Sequence, residues 1–174
     1  FTNAFMDPEV VKGIEGKING KIVVKGSPDH PLLSGKLKLQ NAAANIELLG
    51  VRYTLNGEVE VVEDAFYINN LPVKDEDGNT ASLVGQIYHK NFDKWDYNMN
   101  FNFEDDLTKR DPQAPYRNLP LERFLVMKTT YKQGDYYYGK AYARGTANIS
   151  GYGNKMDVTV DVETKTGTLI TFPM

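Results

Sequence analysis

The residue types that carry chemistry are thin in this chain. The densest grouping is Ser27, Asp29 and His30, in the stretch "GSPDHP". Serine, aspartate and histidine are the parts of a nucleophilic triad, in which the imidazole takes the hydroxyl proton and the acid orients the imidazole. Those parts must converge from separated segments beside an oxyanion hole, whereas residues bracketed by Pro28 and Pro31 read as a solvated turn. His89, the other of two histidines, ends a strand-like segment and has no partner at metal-ligand spacing. "KDEDGNTASLV" imitates a calcium loop, but setting Gly78 at the sixth position puts Val73 first and Val84 twelfth, where carboxylates belong. Asp77-Gly78 is better explained as a tight turn. "GYGNKM" lacks the third glycine of a dinucleotide fingerprint and any helix to receive phosphate. The sequon Asn148-Ile149-Ser150 falls inside a strand-like run and matters only in a host that glycosylates. Cysteine is absent, which removes thiolate nucleophiles, disulfides and cysteine-based metal sites together. Aspartate and glutamate are plentiful, yet nothing in their spacing selects a pair for acid/base work. We expect no catalytic residue, no metal site, no cofactor and no enzymatic activity.

What the chain offers in place of a reactive cluster is an alternation. In "GIEGKINGKIVVKG" one series is Ile14, Gly16, Ile18, Gly20, Ile22, Val24 and Gly26, and the other is Glu15, Lys17, Asn19, Lys21, Val23 and Lys25. Period two is the period of an extended strand, so one face is apolar or bare and the other is wet. The pattern recurs along the chain. Leu37 and Leu39 alternate with lysines, and Val51, Tyr53 and Leu55 precede an "NGE" hairpin signal at Asn56 to Glu58. The returning run "VEVVEDAFYINN" carries Val59, Val61, Phe66 and Ile68. After the "KDEDGN" turn come Ala81, Leu83, Gly85 and Ile87, then Trp95, Tyr97, Met99, Phe101 and Phe103 set against Asp96, Asn98, Asn100 and Asn102. Glu104 to Asn118, with Pro112 and Pro115, reads as a long loop, and "LPLERFLVMKTTY" as a further strand. "YYYGKAYARGTANISG" places Tyr137, Gly139, Ala141, Ala143, Gly145, Ala147, Ile149 and Gly151 on one face. Met156, Val158, Val160 and Val162 alternate with Asp157, Thr159, Asp161 and Glu163 before a turn at Thr166-Gly167.

No stretch has the three-to-four spacing of an amphipathic helix, so the expected fold is all-β, with consecutive antiparallel strands joined by short turns. A length of 174 residues suits a single domain spanning 1–174. The net charge of −3 supplies no basic surface for phosphates, and we expect no nucleic-acid partner. No apolar run approaches the roughly 18 to 20 residues of a membrane-spanning helix. Phe1 to Pro8 lacks the basic start and apolar stretch of a secretion signal, and we expect a fragment of a longer protein whose targeting segment lies upstream. Period two does not separate a groove from a core. The apolar faces could meet in a closed β-sandwich or barrel-like domain, face lipid outward in a membrane barrel, or scaffold an unrelated enzyme.

Four segments taken in order, "GKLKLQNAAANIELLGVRYTLNGEVEV", "INNLPVKDEDGNTASLVGQIYHKNF", "YYYGKAYARGTANISGYGNKMDVTVDV" and "TKTGTLITFPM", resemble the C-terminal region of TamB-like translocation and assembly proteins of the Bacteroidetes type. The resemblance implies a periplasmic protein anchored in the inner membrane through a segment absent from this chain. It implies an elongated sheet curled like a taco, whose apolar concave interior conducts phospholipid acyl chains toward the outer membrane. It also implies support of outer-membrane protein assembly through a barrel partner of the Omp85 class. The lipid groove would then be lined by Ile14, Ile18, Ile22, Val24, Leu37, Leu39, Val51, Tyr53, Leu55, Val59, Val61, Phe66, Ile68, Leu83, Ile87, Trp95, Tyr97, Met99, Phe101, Ile149, Met156, Val158, Val160 and Val162. The glycines on that face, Gly16, Gly20, Gly26, Gly85, Gly139 and Gly145, would leave room and let the sheet curve. Open strand edges of such a sheet could also pair the fragment with a second copy.

Overall fold

The alternation becomes ten strands in a computed structural model that describes residues 11–90, 92, 94–104, 123–153 and 155–173. They are β1 (Val11–Ser27), β2 (His30–Ile46), β3 (Val51–Glu63), β4 (Ala65–Lys74), β5 (Thr80–Lys90), β6 (Lys94–Asn102), β7 (Phe124–Thr129), β8 (Tyr138–Tyr152), β9 (Lys155–Thr164) and β10 (Leu169–Thr171). The described residues contain no helix. The expected loop from Glu104 to Asn118 falls, beyond Glu104 itself, outside the described residues, as does Phe1 to Pro8.

All pairings are antiparallel, and neighbours in sequence are neighbours in the sheet from β1 to β6. β8 is then flanked on each edge by a strand in two pieces. On one edge β6 pairs Thr146 to Tyr152 and β7 pairs Gly139 to Ala143. On the other, β9 pairs Ala143 to Tyr152 and β10 pairs Tyr138 to Lys140.

The sheet curls without closing into a barrel. Strands β3 and β7 are not ladder neighbours, yet Lys128 N donates to Leu49 O at 2.8 Å and the Phe124 ring stacks on Tyr53 at 5.4 Å. A flat sheet could not bring those residues together. The bend has a visible source in irregularities that run across four adjacent strands. β1 slips register between Lys12 and Lys17, β2 between Leu39 and Ala42, β3 between Leu55 and Val59, and β4 between Ile68 and Leu71. Such bulges add residues to one strand of a pair and sharpen its twist. Asn41 N donates to Asn56 Oδ1 at 2.8 Å, which ties the β2 and β3 irregularities to each other.

The row corrects two expectations. Asn56-Gly57 is not a hairpin: β3 runs through it, with Gly57 at φ 143° and Leu71 Cδ1 only 2.6 Å from where a Cβ would sit. The reversal comes at Glu63 to Ala65 instead, where Glu63 takes φ 54°. The glycines of the apolar face do not leave open floor either. A Cβ on Gly85 would lie 2.5 Å from Asn98 O, and one on Gly145 would lie 2.1 Å from Asp161 O, so the missing side chains let neighbouring strands approach.

Candidate functional site

The apolar face is continuous from β1 to β9, but its exposure changes along the way. At its centre Val59, Ile68, Leu71, Val73, Leu83, Tyr97 and Met99 are buried in one cluster with Phe103, Phe124 and Ala143. Leu37, Leu39, Tyr53, Leu55, Phe66, Ile87, Phe101 and Ile149 pack around it half-buried. Val61 is buried as well, while Val51 belongs to a separate small cluster with Leu125 and Tyr142. On the flanks the same pattern meets water. Ile18 is 64% exposed and Val24 63% on β1, and Val160 is 55% exposed on β9. Met156, Val158 and Val162 are exposed beside it, and Ile22 is half-buried. Ile14, within the first β1 register shift, is exposed too. The expected lining residues therefore divide into a dry centre and two wet flanks.

Each end of the centre is stoppered by aromatic rings. At one end Phe124 stacks on Tyr53 and, at 5.6 Å, on Phe103. At the other, His89 lies 4.0 Å from the Phe92 ring and 5.4 Å from Trp95, which in turn stacks on Phe66. Among the described residues His89 belongs to no cluster that could hold a metal ion. Its Nδ1 accepts from Phe92 N at 3.3 Å, and its Nε2 is buried with no hydrogen-bond partner among the described residues. Burial holds its proton affinity below that of a free imidazole, against a smaller opposing pull from Asp64.

The acids of "KDEDGN", which spacing disqualifies as a calcium loop, fasten the curled sheet at the Phe124 end. Asp75 is buried, and its carboxylate accepts from Asp77 N, Asn79 N and Asn79 Nδ2 within its own turn. A fourth donor comes from β7, Leu125 N at 2.8 Å. Glu76 accepts from Arg52 N on β3 at 3.0 Å and from Lys128 Nζ on β7. Asp77 accepts from the Tyr142 hydroxyl and, at 3.0 Å, from Lys140 Nζ, both on β8. The hydrogen bond from Lys128 holds Glu76 below the ordinary carboxylate range, and the one from Tyr142 does the same for Asp77. Tyr53, whose hydroxyl donates to Leu125 O at 2.9 Å, is pushed above the usual phenol range by burial and then by Asp75 and Glu76. Three consecutive acids are more than a tight turn needs, and that surplus was the available signal for this latch; the strands it grips could not be read from spacing.

The remaining candidates stay apart. Pro28-Asp29 makes the β1–β2 turn, with Ser27 and His30 paired across it. Asn148 Nδ2 donates to Asn98 Oδ1 at 2.7 Å and Asn100 Oδ1 at 2.8 Å, so the sequon amide is bonded across the sheet. Among the described residues no cluster of His, Cys, Asp or Glu could hold a metal ion. A cleft of about 580 Å³ lies at the latched end, with a mixed lining that sets Arg52, Glu76 and Lys128 beside Ile46, Val51 and Tyr136. No family model matches the chain, and no curated protein or solved structure matches it either.

Proposed function

We propose that this chain is part of a TamB-like bridge protein whose curled sheet carries phospholipid acyl chains along its apolar face. The observation that supports the reading is the continuation of that face beyond its own core, where Ile18 and Val24 on one flank and Val158 and Val160 on the other remain exposed. Apolar rows left wet on both flanks are suited to a ligand that brings its own hydrocarbon. Each CH₂ taken out of water contributes about 0.8 kcal/mol, so a sixteen-carbon chain gains on the order of 10 kcal/mol before ordering costs. A floor of similar aliphatic residues offers successive positions similar free energies, which favours sliding over trapping. On this reading the protein works in the periplasm, anchored in the inner membrane by a segment outside this chain. It passes lipid toward the outer membrane and meets an Omp85-class barrel there through strand edges.

The test is crosslinking of a photoactivatable phospholipid to the purified, detergent-free chain. Val160→Asp is expected to remove most of the crosslinking, while Val84→Asp on the opposite face, at a site 47% exposed, retains it. Equal labelling of the two variants would defeat the proposal. A second reading is favoured by the dry centre: the apolar face is chiefly a structural core, and the domain binds a protein partner through its edges. Absence of co-purifying phospholipid in a lipid extract read by mass spectrometry would favour that reading.

A further inference from the structure

The two outermost long strands of the sheet carry opposite charge on their outer faces. On β1 the residues alternating with the apolar row include Glu15, Lys17, Lys21 and Lys25, and on β9 they are Lys155, Asp157, Thr159, Asp161 and Glu163, so the first face is net basic and the second net acidic. Glu163 is held by Lys165, but the described residues give Lys17, Lys21, Lys25, Asp157 and Asp161 no ion-pair partner. Both strands have a single ladder neighbour among the described residues, β2 for β1 and β8 for β9. Among the described residues nothing pairs with the outer edge of either strand, 17 residues long on β1 and 10 on β9.

Charge selects which strand such an edge can accept. A second β1 centred on Lys21 would set Lys17 against Lys25, and a second β9 centred on Thr159 would set Asp157 against Asp161, and like charges directly opposite destabilise a strand pair. Pairing β9 with β1 matches them. The spacing matches too, because the lysines recur at every fourth residue and so do Asp157 and Asp161. In an antiparallel register that opposes Lys21 to Asp161 and Lys25 to Asp157, Ile22 meets Val160 and Val24 meets Val158 on the inner face. Strand direction alternates from β1 through β6, β8 and β9, so β1 of an identically oriented copy runs antiparallel to β9. The apolar faces of the two copies would then be continuous.

We propose that β9 of one copy pairs with β1 of a second, joining copies head to tail into a longer sheet. The contact is heterologous, so each joined copy still offers one free β1 and one free β9. It does not depend on what the apolar face carries, and its test contains no lipid. Sedimentation of the purified chain over a concentration series is expected to show association that weakens in high salt. The variants Lys21→Glu/Lys25→Glu and Asp157→Lys/Asp161→Lys should each associate at least tenfold more weakly, and a mixture of the two should associate again, because the reversed edges now match. All four sites are exposed, so unfolding temperatures should stay near that of the parent chain. Because the chain has no cysteine, Val23→Cys in one preparation and Thr159→Cys in another report the register directly. Mixed oxidation should give the heterodisulfide in preference to either homodisulfide. A chain that stays monomeric across the series, or charge variants that do not recover on mixing, would overturn the proposal, as would a β1–β1 disulfide forming as readily as the mixed one.

Discussion

β6 and β1 are written in the same alternation of apolar and polar residues, yet Met99 on β6 is 6% exposed and Ile18 on β1 is 64% exposed. The difference lies in what surrounds them. Met99 has β5 on one side and β8 on the other, and shares a cluster with Phe124 of β7. Ile18 has Leu39 of β2 on one side and, among the described residues, no strand on the other. Apolar patterning thus marks the face of a strand, while its place in the sheet order decides whether that face is dry. The centre supplies cohesion, and the flanks leave apolar surface exposed.

Truncation should break this comparison most sharply. Leu71→Ala, at a site 2% exposed, is expected to cost about 2 to 5 kcal/mol by chemical denaturation, whereas Val160→Ala should stay within about 0.5 kcal/mol. Similar losses at the two sites would mean that the flank is as much a core as the centre. Asp75→Ala should come next, at about 1 to 3 kcal/mol, because it strands the buried Leu125 N–H and unties the β4–β5 turn. Hydrogen exchange should then quicken in β7 and leave β1 unchanged. An equal change in both strands would show that the latch is not local to the curled end.

The smallest effects are titrations, and their signs differ from those of an exposed group. His89 is disfavoured in its charged form by burial, so the unfolded chain binds that proton more readily. Stability should fall as pH drops below about 6.5, the ordinary imidazole value, and His89→Phe should remove that slope. Glu76 and Asp77 act lower on the scale. Their stabilisation is complete above the ordinary values of 4.5 and 3.8 and is lost as pH falls through their depressed folded values. Denaturation midpoints of Glu76→Gln/Asp77→Asn against pH should therefore be flatter than the parent's in that acid window.

Much of the architecture was legible in the sequence because strand geometry is local. "KWDYNMNFNF" and "KMDVTVDVET" each became a single strand, and "KDEDGN" became a turn. Asn56-Gly57 misled because its local chemistry suits a tight reversal. The register instead runs β3 straight through the pair, opposite the extra residues that β2 carries at Gln40-Asn41 and β4 carries between Ile68 and Val73. Gly85 and Gly145 were recognisable as departures from a filled face, but a glycine carries no mark of what fills its space; here that is the backbone of the next strand. The latch was half-visible: its acids stood out, and their partners Leu125, Arg52, Lys128 and Tyr142 lie too far along the chain to be inferred from spacing.

The sequence by itself determined that this protein is a sheet, which side of each strand is apolar, and that the outer faces of β1 and β9 are oppositely charged, because side-chain direction in an extended chain follows from parity alone. Only the tertiary structure decided where that apolar side is dry. Burial depends on strand order, on the aligned bulges that curl the sheet, and on Asp75, Glu76 and Asp77 holding β3, β7 and β8 together, all of them relations between residues distant in the chain.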